Sequence, residues 1–182
     1  IYTSTPHRGL NILYAVFNEL CKKYDNLELD VFSSFKLYGW GERDKQFQNL
    51  FDKLEEHPNI NHHGTQPNSV IREALQDAHI FAYPSTWQET SCICLLEAMS
   101  AGLLCIHPNY AALPETAANW TYMYQYNENI DAHANVFAKV LEMAIESLGD
   151  DNVTFRVNSQ KVYTDLFYNW DDAIKNKKRL TM

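Results

Sequence analysis

The chain alternates between two hydrophobic periods. Ile1–Thr3 reads as a short strand, followed by the loop Ser4–His7. From Arg8 to Lys23 the apolar residues Leu10, Leu13, Tyr14, Phe17, Leu20 and Cys21 recur at helical spacing. Leu27–Phe32 alternates leucine and valine with Glu28 and Asp30, the pattern of a strand. The loop Ser33–Gly41 leads to a polar helix, Arg43–Glu56, and Asn59–His62 reads as a short strand. Gln66–Asp77 reads as a helix with Pro67 near its first turn and Val70, Ile71, Ala74 and Leu75 on its buried side. Ile80–Tyr83 and Leu103–Ile106 read as strands. The helix between them, Thr90–Ala101, ends at Gly102, a residue suited to a helix C-terminus. A short helix at Leu113–Ala118, a last strand at Thr121–Tyr124, a long helix at Ile130–Leu148 and helical stretches at Asn152–Tyr168 and Asp171–Lys178 complete the pattern.

Strand and helix alternate with short links, which predicts an α/β fold: a Rossmann-like parallel sheet with helices on both faces. Such sheets bind ligands at the carboxyl ends of their strands. The loops Ser4–Arg8, Ser33–Gly41, Gly64–Pro67, Ser85–Ser91 and Asn109–Leu113 all fall there. No repeat, linker or low-complexity segment divides the chain, so residues 1–182 read as one domain.

Composition narrows the partners. Of 182 residues, 46% are hydrophobic and 21% charged, as expected for a globular domain with its own core. The net charge of −8 and pI near 5.3 argue against nucleic acid or an anionic membrane surface as a partner. An anionic ligand therefore needs local positive charge, and Arg8, Lys36 and Arg43 are the candidates. No apolar run approaches the ~20 residues of a membrane span. Ile1 is not a natural start, so the sequence reads as a piece of a longer chain. Cys21, Cys92, Cys94 and Cys105 form no C-x-x-C pair. Cys92 and Cys94, both placed on a helix, are expected to point apart, and all four read as small reduced core residues of a cytosolic protein. His62 and His63 have no cysteine or acid at zinc spacing, so no metal is assigned.

The chemistry concentrates in Tyr83–Gly102, YPSTWQETSCICLLEAMSAG. Glu89 ends a loop leaving a strand, and Glu97 lies eight positions on, inside a helix. The small residues Thr90, Ser91 and Cys92 sit where that helix begins. Its amides and dipole suit a diphosphate. Were the whole interval helical, the two carboxylates would stand about 12 Å apart, roughly the reach from a donor sugar across a diphosphate to a ribose.

This stretch resembles the E-x7-E signature of retaining glycosyltransferases of the GT-B fold, especially family GT4. The match runs P-S-x-x-x-E-x7-E-A-M-x-x-G through Pro84, Ser85, Glu89, Glu97, Ala98, Met99 and Gly102. Arg8-Gly9-Leu10 resembles the family's basic residue followed by Gly-Leu that opens the first helix and holds the donor phosphates; a guanidinium suits that task as a planar fork. A second basic residue, frequent in the family at the end of the first strand, is replaced here by Tyr2-Thr3-Ser4, where Ser4 or backbone amides would substitute. The family's glycine-rich turn is altered to Tyr38-Gly39-Trp40-Gly41. His63-Gly64-Thr65-Gln66 is similar to the turn where the base packs; an ordinary strand-to-helix turn with Thr65 near the cap reads equally well. Ala112-Leu113-Pro114-Glu115-Thr116 is similar to an A-L-x-E-T motif of GT4-like domains. Trp87 reads as a rim aromatic, a contact for another domain, or simple packing.

The resemblance implies one half of a GT-B fold, the C-terminal donor-binding domain, with the N-terminal acceptor domain absent and the fragment alone inactive. It implies transfer of a sugar from a nucleotide diphosphate such as a UDP- or GDP-sugar to a glycan or other acceptor, with retention and without metal or cofactor. Glu89 is the implied catalytic-site acid, binding the donor sugar. Ser4, Arg8, Gly9, Gly39, Gly64, Thr65, Thr90, Ser91, Cys92 and Glu97 are the implied donor-binding set, with Glu97 on the ribose. The implied setting is the cytoplasm, or a membrane surface reached through the absent domain. A related GT-B enzyme such as a nucleotide-sugar epimerase, and a non-catalytic nucleotide-sugar-binding module, remain alternatives on sequence.

Overall fold

The computed structural model describes residues 1–169; the helix expected at Asp171–Lys178 lies outside them. Among these residues, six parallel strands alternate with seven α-helices: β1 Tyr2–Thr3, α1 Leu10–Leu20, β2 Leu29–Phe32, α2 Gln48–Glu56, β3 Ile60–His62, α3 Asn68–Asp77, β4 Ile80–Ala82, α4 Ile93–Ala101, β5 Leu104–Pro108, α5 Leu113–Ala117, β6 Tyr122–Tyr124, α6 Ile130–Glu146 and α7 Asp151–Phe167. One half of the sheet runs β1-β2-β3 and the other β4-β5-β6. A single residue joins them. The Ile1 amine donates to the Ile80 carbonyl at 2.8 Å, and the Ala82 amide donates to the Ile1 carbonyl at 3.2 Å. The combined order is β3-β2-β1-β4-β5-β6, a doubly wound Rossmann-like sheet whose direction of winding reverses between β1 and β4.

The core explains why α1 is more apolar than a surface helix. Leu10, Ile12, Leu13, Val16, Phe17 and Leu20 are all buried, since α1 contributes to the common core and packs against α6. On the other half, Leu95, Ala98 and Met99 of α4 are fully buried, and α4 carries α7 on its outer side. Ser100 and Lys161 tie that contact through Asp165 and the Ser100 carbonyl. No helix among the described residues is long and apolar enough to cross a membrane.

Several helix starts differ from the sequence reading. α1 begins at Leu10, not Arg8, because Gly9 caps it in a left-handed conformation, φ 94°. The polar helix expected over Arg43–Glu56 begins as a 3-10 helix, Gly41–Phe47, and becomes α-helical only at Gln48. The loop after β2 contains a 3-10 turn, Phe35–Tyr38, whose Ser34 hydroxyl accepts the Lys36 amide. α3 begins after Pro67 and buries only Leu75 completely, leaving Val70 exposed. α4 begins at Ile93, three residues later than expected, because Thr90–Cys92 continue the loop; it ends at Gly102 in the left-handed conformation, as expected.

Gly9 is the most closely approached of the glycines. A β-carbon there would lie 2.0 Å from the Pro84 carbonyl oxygen, so the two loops flanking the winding reversal touch through backbone alone. Gly9→Ala should therefore cost at least about 2 kcal/mol, combining left-handed strain with a backbone clash. Gly39→Ala, also at positive φ but with open space around it, should cost only about 1–2 kcal/mol of strain. Thermal melts of the two variants check the order, and equal losses would refute the role of the close approach.

β5 carries a buried titratable group. His107 is fully buried, with Nε2 2.8 Å from the Thr121 hydroxyl and Nδ1 2.9 Å from the Pro108 carbonyl. Burial pushes its pKa down to about 4, against the backbone bond to Pro108, which raises it. The folded pKa lies below the ordinary 6.5, so this contribution is present above about pH 6.5 and is lost as pH falls toward 4. Complete loss amounts to roughly 3 kcal/mol. Urea unfolding between pH 7 and 4 should show this decline, and His107→Gln should flatten it.

Candidate functional site

A cleft of about 670 Å³ opens at the carboxyl ends of β1 to β4, against the winding reversal. Four loops line it: Thr3–Thr5 with Arg8 after β1, Phe32, Ser34, Leu37 and Tyr38 after β2, Gly64–Gln66 after β3, and Trp87–Ser91 after β4. Ile93, Cys94 and Glu97 of α4 close it. The floor is polar and the mouth apolar: Leu37, Tyr38, Trp87 and Ile93 are each about half exposed or more.

The centre is a three-residue cluster. Arg8 Nη1 donates to both oxygens of Glu89, each at 3.0 Å. Tyr83 donates its hydroxyl to Glu89 Oε1 at 2.6 Å, and the Ser4 hydroxyl lies 3.4 Å from the same phenol oxygen. Glu89 is buried, 6% exposed, and Tyr83 entirely so. Burial, then Cys94, Tyr2, Cys92 and Glu89, push the Tyr83 pKa far up, so it stays a donor. Burial lowers that of Arg8, but Tyr83 and Glu89 outweigh it and raise it. The main chain fixes Glu89 as well. Its amide donates to the Trp87 carbonyl at 3.0 Å, and its own carbonyl accepts the Ala112 amide at 3.2 Å. Ala112 belongs to the A-L-x-E-T segment, whose loop braces the site from behind without lining the cleft.

The expected site residues divide into three groups. Ser4, Arg8, Gly64, Thr65, Glu89, Thr90, Ser91 and Glu97 line one cleft. Gly9 stands behind it as the cap of α1, and Gly39 ends the 3-10 turn outside it, both at positive φ. Cys92 is buried, 1% exposed, and does not line the cleft. Its expected orientation is also corrected. Cys92 precedes the helix rather than sitting on it, which brings its sulfur 3.4 Å from that of Cys94. The contact with Cys92 and burial both push the Cys94 thiol up, so it stays protonated.

At the start of α4, Leu95 and Leu96 both donate to the Cys92 carbonyl, which leaves the Ile93 and Cys94 amides at the open end of the helix. The later start also means the Glu89–Glu97 interval is not all helix, so helical rise alone does not set their separation. Glu97 is open to solvent on the cleft wall; crowding raises its carboxyl and Arg72 opposes that rise.

Arg8 is the only lysine or arginine among the described residues lining the cleft. Lys36 and Arg43, the other candidates, lie outside it, and the Arg43 guanidinium rests 4.6 Å over the Trp40 ring. His62 and His63 face opposite sides, as expected of adjacent strand residues: His62 stacks on Phe51 and His63 on Phe32 while bonding Asp30 at 2.7 Å. Among the described residues no group of three or more His, Cys, Asp or Glu could hold a metal ion. Sequence reasoning missed Tyr83, treated only as a strand end, and His7, whose ring is sandwiched by Phe35 and the edge of Trp87. The single signal for Tyr83 was its place directly before Pro84-Ser85.

The ion pair yields a stability prediction. Arg8→Ala strands a buried carboxylate and should cost about 3 kcal/mol or more. Combining it with Glu89→Gln should recover part of that loss, because no uncompensated charge remains. Urea unfolding of the single and double variants measures it; equal losses would mean the charge pairing contributes nothing.

Residues 3–153 match the family model of the glycosyl transferases group 1. Among curated proteins, one subunit of the phosphatidylinositol N-acetylglucosaminyltransferase of Arabidopsis thaliana is 26% identical over 168 residues, 92% of this chain and 34% of that protein. The corresponding human protein is 26% identical over 108 residues, 59% of this chain and 21% of that protein. This chain therefore spans about a third or less of the curated relatives it matches. Among solved structures, a glycosyltransferase from Rickettsia africae superposes with a TM-score of 0.78 at 13% identity, over 98% of this chain and 46% of that one. The pneumococcal O-GlcNAc transferase GtfA, solved with UDP and GlcNAc, gives 0.66 at 15% identity, over 96% of this chain and 35% of that one. These likenesses establish the fold as that of GT-B glycosyltransferases, and the chain belongs to the glycosyl transferases group 1 family.

Proposed function

We propose that this member of the glycosyl transferases group 1 family is the donor-binding domain of an E-x7-E, GT4-type enzyme. It binds a nucleotide diphosphate sugar for retaining transfer to a glycan or other acceptor. The observation that carries this reading is the placement of the paired Arg8 and Glu89 and the open amide end of α4 in one cleft at the winding reversal. Arg8 meets Glu89 through one terminal nitrogen, Nη1, and its side chain, 22% exposed, lines the cleft beside that carboxylate. The Ile93 and Cys94 amides supply further donors and the favourable end of the helix dipole.

In this reading the diphosphate lies between Arg8 and the start of α4. Glu97, one turn farther along the helix, takes the ribose hydroxyls. The base enters the Gly64–Thr65 turn, and Ser91 and Thr90 border the phosphates. Glu89 holds hydroxyls of the donor sugar and steadies the reacting ring while charge gathers on the departing diphosphate, which Arg8 and the amides stabilise. The side chains of Cys92 and Ser4 take no direct part: Cys92 is buried and the Ser4 hydroxyl is turned to Tyr83. UDP is the first nucleotide to test, because GtfA was solved with UDP and the curated relatives are named for N-acetylglucosamine transfer.

Calorimetry with UDP, GDP and uridine tests the reading. One diphosphate should bind, weakly, and Arg8→Ala should cost roughly tenfold or more in its affinity, the worth of a hydrogen bond to a charged group. Arg8→Lys should recover only part, because an ammonium lacks the fork. Uridine affinity should be insensitive to either change, and Glu97→Ala should weaken nucleotide and nucleoside alike. Unchanged diphosphate affinity in Arg8→Ala would sink the assignment.

A further inference from the structure

We propose that Tyr83 is the positioning residue for Glu89: its hydroxyl keeps the carboxylate in place when the donor's phosphates draw on Arg8. The inference rests on the donor-binding reading above and goes beyond it, since the family-type motifs point to the acids and the arginine and not to this phenol.

Glu89 is held from two different parts of the fold. Its side chain has two partners, Arg8 Nη1 and the Tyr83 hydroxyl, among the described residues. Arg8 is also the only lysine or arginine among those residues to line the cleft, so an arriving diphosphate and the buried carboxylate share one guanidinium. A diphosphate carries more negative charge than one carboxylate. Whatever interaction Arg8 gives it is partly withdrawn from Glu89, and a buried carboxylate losing its counter-charge is costly unless a hydrogen bond remains.

Tyr83 is the group that remains. It sits below the surface, where no phosphate reaches it. Its ring lies among Tyr2, with centroids 5.8 Å apart, and Phe81, at 5.4 Å, and its amide donates to the Ile106 carbonyl of β5. The phenol is thus anchored to the middle of the sheet, while Arg8 reaches in from a loop. At 2.6 Å its bond to Glu89 is shorter than either bond from Arg8. The Ser4 hydroxyl, 3.4 Å from the phenol oxygen, is able to donate to it while Tyr83 donates to Glu89.

The test is a double-mutant cycle on binding of the nucleoside diphosphates UDP and GDP, by calorimetry below the melting transitions of all variants. Tyr83→Phe keeps the ring and removes only the hydroxyl. It should lower diphosphate affinity roughly fivefold, within the range of a hydrogen bond to a charged group, because Glu89 then depends on Arg8 alone and competes with the ligand. In the Glu89→Gln background the same change should alter affinity less than about twofold, because no carboxylate is left to compete. Uridine should not distinguish the variants. An equal loss in both backgrounds would show that Tyr83 acts through packing and would overturn the proposal, as would no loss in either. A wild-type chain that bound neither UDP nor GDP would overturn the donor-binding reading, and this inference with it; wild-type binding with a failed cycle would overturn the inference alone.

Discussion

The cleft depends on one backbone contact. Where the winding of the sheet reverses, the β1–α1 loop and the β4–α4 loop meet with no side chain between them, Gly9 against the Pro84 carbonyl. That approach places the residue before Gly9 beside a residue five positions after Pro84, and so brings Arg8 onto Glu89 across 81 positions of sequence. A residue with a β-carbon at position 9 would push the loops apart, and the ion pair would have to stretch or break. The left-handed Gly9 also ends the turn Thr5–Arg8 and starts α1, leaving Arg8 outside the helix, where its side chain reaches Glu89 over the carboxyl ends of the central strands.

The electrostatics of the cleft follow from that geometry. Among the described residues its lining carries two carboxylates, Glu89 and Glu97, against the single guanidinium of Arg8. The protein as a whole is acidic, and its other candidate cations near the cleft are turned to aromatic rings or solvent. Arg8 neutralises a buried acid, and in the proposed donor-binding reading the same guanidinium also meets an anion. This explains why so much uncharged hydrogen bonding surrounds it: the Tyr83 phenol, the Ser4 hydroxyl and the free amides of α4. A neutral donor held by the fold offers less attraction than a second cation, but it adds no charge to be balanced when the site is empty.

The posterior loop shows how a short motif acts at a distance. Ala112-Leu113-Pro114-Glu115-Thr116 does not line the cleft, yet the Ala112 amide holds the Glu89 carbonyl, and buried Leu113 and Thr116 hold the motif in the core. Arg156 of α7 closes the far end of the same segment by donating to the carbonyls of Asn119, Trp120 and Thr121. The polypeptide that carries Glu89 is thus supported from the sheet through Tyr83, from the first loop through Arg8 and from the α5 region through its own carbonyl.

By itself the sequence determined the alternation of six strands with their helices, the glycine at the end of α4, the end of the sheet at which the cleft opens, and the acids and the arginine that line it. Each of these is carried by local signals: a period of two or of 3.6, a glycine suited to positive φ, a motif of fixed spacing. Helix starts were less legible. Thr90–Cys92 have ordinary residues for a first turn, yet they continue the loop anchored at Glu89, with Cys92 buried against Cys94. The partners were not legible at all. That Arg8 pairs with Glu89, that Tyr83 holds the same carboxylate, and that Lys36 and Arg43 stay outside the cleft were decided only by tertiary structure. Arg8 and Glu89 stand 81 positions apart, and Tyr83 and Glu89 are separated by six positions of irregular loop; both distances are set by the packing of the loops at the winding reversal, and no periodicity or spacing along a single sequence encodes them.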